Sequence, residues 1–140
     1  IGAWVAEAGT LAWPPVLLGA AVMFWVAGFD VIYSLQDEDF DRRGGLFSLP
    51  AALGVGRSLA VARLFHAAAL IGFAVFAAMA GGGWLRFAAV IAAGLLLVWQ
   101  HRAVSRAGLD AVDAAFFSAN GILSVLMCGA FLFAKILSAG

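Results

Sequence analysis

Apolar residues along this chain come in long uncharged stretches rather than at a two- or four-residue period. Leu11 to Phe29 contains no charged residue, and neither do Leu64 to Leu85 or Ala114 to Ala134. Phe87 to Gln100 is also uncharged but shorter. A membrane-spanning helix needs about 20 mostly apolar residues. The short stretch reaches that length if Trp84 and Arg86 sit at one interface and His101 and Arg102 at the other. Arg86 would then snorkel into the headgroups. The pattern predicts four spans, near 11–35, 57–80, 83–101 and 113–136. Pro14 and Pro15 suit the start of the first helix, where no backbone donor is lost. Trp4 and Trp13 can anchor that end at the interface. The first span is longer than a signal peptide core and has no basic leader or small-residue cleavage site. Ile1 in place of a methionine predicts a fragment or a processed chain.

Composition agrees. Of 140 residues, 65% are hydrophobic and 11% charged, and the eight basic and eight acidic side chains cancel. A soluble domain carries about 25% charged residues, and disorder demands still more charge and less hydrophobicity. No clustered basic face favours nucleic acid. Cys128 is the sole cysteine, so neither an internal disulfide nor a cysteine metal cluster is possible. The expected class is all-α, a multi-span transmembrane helical bundle.

With four spans, the connections near 36–56 and 102–112 share one side, and Gly81-Gly82-Gly83 turns the chain on the other. Arg42, Arg43, Arg57, Arg63, Arg102 and Arg106 lie in or beside the first pair, whereas Arg86 and Lys135 lie near the other side. Positive residues collect on the cytoplasmic side, so the charged connections should face the cytoplasm.

Half of the acids stand together as Asp37, Glu38, Asp39 and Asp41, with Asp30 two turns earlier inside an apolar span. At about 100° per residue, Asp30, Ser34, Asp37 and Asp41 share one face of a helix and Asp39 falls on the other. An ionisable residue inside a span is costly and marks a candidate site. Two carboxylates at i and i+4 can share one hard cation. Mg²⁺ keeps several waters and often takes one or two carboxylates plus substrate phosphates. Arg42 and Arg43 follow, and guanidinium groups suit phosphate oxygens. From spacing alone, a solvated charged stretch at the membrane boundary accounts for the cluster equally well. A calcium loop is excluded by Arg42 at its sixth position and Ser48 at its twelfth. Gly54-Val55-Gly56 is no dinucleotide fingerprint, because Leu59 stands at the third glycine.

The stretch from Gly28-Phe29-Asp30 through Tyr33, Gln36-Asp37, Asp41-Arg42, Gly45-Leu46 and Ser48 to Pro50 resembles the second aspartate-rich motif of the UbiA superfamily of intramembrane prenyltransferases. Its form is most similar to the 4-hydroxybenzoate polyprenyltransferase-like branch, which serves ubiquinone and menaquinone synthesis. Ala115-Phe116-Phe117 with Asn120-Gly121 resembles that branch's last span. The resemblance covers essentially the whole chain. It implies a UbiA-type fold of which this chain is the C-terminal half, about four spans with a catalytic loop at 36–56. The family's first aspartate-rich motif and its Tyr-x-x-x-Lys element are absent from these residues. The partner implied is therefore an N-terminal half that carries the first motif.

The implied reaction is transfer of a polyprenyl group from a polyprenyl diphosphate to an aromatic acceptor such as 4-hydroxybenzoate, with Mg²⁺ as cofactor. By motif match, Asp37 and Asp41 are the metal ligands and the catalytic residues. Asp30, Tyr33 and Gln36 would position the diphosphate or the ring, and Arg42 and Arg43 would contact the diphosphate. Glu38 and Asp39 are expected in solvent, and Ser48 and Pro50 are expected to shape the connection to the next helix. The implied location is a bacterial inner membrane. Other prenylations within the superfamily (haem, chlorophyll or archaeal lipid) stay open, as does a non-catalytic four-helix membrane protein.

Outside the cluster, His66 is expected to be a hydrogen-bonded packing residue and His101 an interfacial one. Asn120 can bond across helices. Cys128 is expected to be inert packing, and the phenylalanines to pack or face lipid.

Overall fold

Ala12 is extended, and Pro14 and Pro15 fall in the first turn of the helix it caps, so the chain enters the membrane segment without losing a backbone bond. The computed structural model describes residues 1–107 and 112–139, with the side chains of 1–106 and 119–137. Among the described residues seven α-helices follow in order: α1 (Gly2–Ala8), α2 (Trp13–Tyr33), α3 (Glu38–Gly44), α4 (Leu49–Leu53), α5 (Val55–Met79), α6 (Trp84–Ala107) and α7 (Val112–Ala139). There is no strand among the described residues. Four helical segments are long and apolar enough to cross a membrane, Trp13–Gly44, Val55–Met79, Trp84–Arg106 and Ala119–Leu137. The protein is an integral membrane protein of the all-α class.

The four long helices run alternately up and down. Each packs on the next, and α7 returns to touch α2. The C-terminal end of α2, both short helices α3 and α4, the start of α5 and the end of α6 lie together; this is the polar end of the bundle. Helix α2 contributes to all three core clusters. Near the polar end, Val31, Ile32 and Leu35 meet Leu59, Ala62 and Val104. At mid-depth Phe29 meets Ala93, Leu97 and Leu123. Further along, Ala21 meets Ala69 and Phe73. Lipid tails are as apolar as these side chains, so close van der Waals packing has to hold the helices together. Small residues permit it: a Cβ added to Gly72 of α5 would lie 2.7 Å from Ala21 Cβ of α2. Only 6% of the α7 span is buried, against 28–39% for the other three, which leaves most of α7 to face lipid or another helix.

Several expectations are corrected. The segment expected as a loop at 36–56 is largely helical, because Ser48 Oγ accepts a bond from Ala51 N–H at 3.3 Å and caps α4. Acidic residues in the first turn of α3 and Arg42 and Arg43 in its last turn complement that helix's dipole. The connection expected from 102 begins later, since α6 runs on to Ala107. Charge alone does not end a helix, and Arg and Ala are good helix formers. Residues 108–111, which include Asp110, and the side chains of Ala115-Phe116-Phe117 lie outside the described ones. Arg86, expected to reach the headgroups, is 8% exposed, and its Nη1 donates to the Gly82 carbonyl at 2.7 Å. That bond ties α6 to a turn in which Gly81, Gly82 and Gly83 all have positive φ. Cys128 is exposed rather than packed. The separate helix α1 was not expected from the pattern.

Candidate functional site

The outer face of α2 changes character along its length. Val22, Met23 and Val26 are exposed, and the same stripe continues through Asp30 and Tyr33, with Asp37 exposed beyond them. Steps of three and four residues place these side chains on one side of the helix. The buried residues Phe29, Val31 and Ile32 lie on the other side. An apolar wall thus leads to an acidic rim at the polar end.

Between Ser34 and Asp37 the chain tightens into a 3-10 turn. Such a turn advances 120° per residue instead of 100°, so four residues add roughly 80° of rotation. The straight-helix wheel that aligned Asp30, Ser34, Asp37 and Asp41 therefore does not carry across the turn to Asp37 and Asp41. Asp30 and Asp37 are exposed, while Ser34 and Asp41 are half-buried. The Ser34 hydroxyl donates to the Val31 carbonyl at 2.9 Å, within its own helix.

Asp37 occupies the N-cap position of α3, where aspartate usually accepts a backbone bond, yet its side chain makes no cap hydrogen bond. Asp41 stands one turn further on. No salt bridge among the described residues holds Asp30, Asp37 or Asp41. Their oxygen donors are the right type for a hard cation, which takes one or two carboxylates and completes its shell with water and phosphate. Among the described residues, no group of three or more His, Cys, Asp or Glu side chains is arranged to hold a metal ion.

The two arginines of the cluster are engaged within α3. Arg42 forms a salt bridge with Glu38, and Arg43 Nε donates to the Asp39 carbonyl at 3.1 Å. Glu38 is thereby half-buried, and the expectation of a freely solvated side chain is corrected. Gly45, at φ 66°, ends α3 in a left-handed cap, and buried Pro50 turns the chain into α4. Ser48 and Pro50 take the loop-shaping roles expected of them.

Sequence reading missed a polar cluster on the other side of α2. His66 of α5 and His101 of α6 are both buried, and their rings meet at 2.9 Å between Nδ1 and Nε2. His66 is the hydrogen-bonded packing residue expected, and His101, expected at the membrane interface, is buried against it. Phe29 lies edge-on to His66 with ring centroids 4.9 Å apart. Gly28 leaves room for the imidazole; a Cβ there would overlap the ring. Gln100 is fully buried beside the pair in sequence. The available signal was the rarity of polar residues in apolar spans, which makes a polar residue on another helix the first partner to seek.

The sequence of residues 1–134 matches the model of the UbiA prenyltransferase family. Among curated proteins, the chain is 26% identical over 113 residues to a 4-hydroxybenzoate octaprenyltransferase from Escherichia coli, covering 81% of this chain and 39% of that protein. It is 27% identical to the enzyme of the same name from Enterobacter sp., with the same coverage. Among solved structures, the apo structure of a UbiA homolog from Aeropyrum pernix superposes with a TM-score of 0.72 at 35% identity, over 87% of this chain and 42% of the homolog. The chain thus spans about two fifths of the length of the relatives it matches. The family match takes in the acidic stretch and reaches into the last membrane helix. This chain belongs to the UbiA prenyltransferase family.

Proposed function

We propose that this chain forms the C-terminal part of an enzyme that transfers a polyprenyl group from a polyprenyl diphosphate to an aromatic acceptor such as 4-hydroxybenzoate, in quinone biosynthesis. The observation that carries this reading is the uncapped, exposed Asp37 at the end of an apolar stripe, with Asp30 and Tyr33 on the same stripe and Asp41 one turn on. The stripe suits an isoprenoid tail and the acidic rim suits a metal-bound diphosphate.

In this reading Asp37 and Asp41 would hold Mg²⁺ for the diphosphate, together with carboxylates of a first aspartate-rich motif outside residues 1–140. When bound, the ion supplies positive charge that stabilises the leaving diphosphate. Asp30, Tyr33 and Gln36 orient the diphosphate or the ring, and Arg42 reaches the diphosphate if it leaves Glu38; Arg43 stands beside it on the same turn. The allylic C–O bond to diphosphate breaks, a C–C bond forms at the ring carbon beside the phenol hydroxyl, and the ring proton leaves. The apolar helices exclude water that would otherwise capture the allylic cation. In this reading the enzyme sits in a bacterial inner membrane, and the charge distribution supports a polar end that faces the cytoplasm.

The test is Asp37→Asn in the complete protein, assayed for Mg²⁺-dependent prenylation of 4-hydroxybenzoate. Turnover is expected to fall about a hundredfold or more, since a positioned group that stabilises transition-state charge contributes on that order. An unchanged rate in a folded variant refutes the metal role of Asp37.

A further inference from the structure

A second charged feature lies at the polar end, between α5 and α6. Arg63 of α5 and Arg102 and Arg106 of α6 line a cleft of about 300 Å³, with His101 and Ser105 in its wall. All three arginines are exposed, and no carboxylate is among the described residues of the lining. Arg63 Nη2 donates to Ser105 Oγ at 3.4 Å, which fixes one guanidinium across the mouth of the two helices. Arg102 and Arg106 are four residues apart on one helix, a spacing at which like charges repel. An anion between them removes that repulsion. Planar guanidinium groups present paired N–H donors that match phosphate oxygens.

The cleft does not end at the charges. A second depression of about 290 Å³ shares Val98, Arg102 and Arg106 with it and continues over Leu95 and Trp99. Leu95, Val98 and Trp99 are 67%, 47% and 52% exposed, so an apolar strip descends from the arginines into the span. Seven residues of helix separate Leu95 from Arg102, roughly 10 Å along the axis. A tryptophan at this level marks the headgroup boundary. Basic pockets between membrane helices suit anionic lipid headgroups.

We infer that the α5–α6 cleft binds an anionic phospholipid, with its phosphate among Arg63, Arg102 and Arg106 and an acyl chain along Leu95, Val98 and Trp99. A free phosphate would use the arginines but not the strip. The lining shares no residue with the acidic rim, so the proposal does not rest on the catalytic reading.

The test uses the protein in nanodiscs containing phosphatidylglycerol and phosphatidylcholine, with bromine on the acyl chains of one lipid at a time. Bromine quenches nearby tryptophan, and the Trp99 signal is the difference between wild type and Trp99→Phe. Trp84, exposed at the opposite end, is the reference, read through Trp84→Phe. Brominated phosphatidylglycerol should quench Trp99 more than brominated phosphatidylcholine does, with no such preference at Trp84. Arg102→Gln and Arg106→Gln should each weaken the preference about fivefold, the worth of one basic residue near an anionic surface. Arg102→Lys keeps the charge and should retain most of it. Equal quenching by the two lipids overturns the proposal, as does an equal preference at Trp84. Loss of the preference when millimolar inorganic phosphate is added, at constant ionic strength, identifies a free-phosphate site instead and also overturns it.

Discussion

Gly28 is small because a ring occupies the space its side chain would take. It stands on α2 against His66, and a methyl group there would overlap the imidazole. Gly28→Ala should therefore lower stability by about 1–3 kcal/mol, the usual cost of overpacking. Thermal unfolding in detergent measures this. Combining it with His66→Ala, which empties the space, should recover much of the loss; strictly additive losses would mean the two residues do not share the contact. The second residue to single out is Arg42. Its bridge to Glu38 is an exposed i,i+4 pair of the kind worth about 0.3–0.5 kcal/mol, so Glu38→Gln should hardly affect stability. Arg42→Gln should likewise leave the fold intact. If Arg42 also reaches the diphosphate, this variant raises KM for the polyprenyl diphosphate in the complete enzyme, while Glu38→Gln does not. An unchanged KM in Arg42→Gln confines that arginine to its role within α3.

At the scale of elements, the long apolar helices were legible because a span needs only length and the absence of charge. Their ends were less so. Expectation placed the end of the third span at His101, yet α6 runs to Ala107, because polarity marks where the membrane ends and not where the helix does. The acidic stretch was read as helix up to Asp41 and as loop beyond 36. The chain does stay helical from Trp13 to Gly44, tightening into a 3-10 turn at Ser34–Asp37, and a further short helix replaces much of the expected loop. Local chemistry explains much of this afterwards, through the Ser48 cap and the Gly45 left-handed end. A 3-10 turn leaves no comparable mark in sequence, because it differs from an α-helix only in how tightly the same residues are wound. That turn decides which way Asp41 points relative to Asp30, so residue types identified the site while its geometry had to come from the backbone.

For the whole molecule, alternate running of the four long helices places six arginines toward one end. Gly44 lies at that end, the terminal residue of α3. In a Cys128→Ser background, Gly44→Cys should react with a membrane-impermeant thiol reagent in inside-out vesicles and stay unlabelled in intact cells. Labelling from outside would reverse the proposed orientation. The exposed stripe of α2 and the sparsely covered α7 also belong to this scale. The chain spans about two fifths of its relatives, and these open faces are the surfaces available to lipid or to further helices.

Sequence alone determined the membrane class, the four apolar helices, the polar end and the acidic residues of the candidate site. Each of these depends on the transfer of side chains out of water or on a short contiguous motif, and both are properties of a residue and its near neighbours. Only the tertiary structure decided that His101 turns inward to meet His66, that Arg86 is buried with a bond to a turn carbonyl, and that Arg63 joins Arg102 and Arg106 in one cleft. His66 and His101 are 35 residues apart, and Arg63 and Ser105 are 42. Contacts across such distances depend on the rotation of each helix about its axis, which close packing of Gly28, Gly72 and Ala21 sets and which no local pattern encodes.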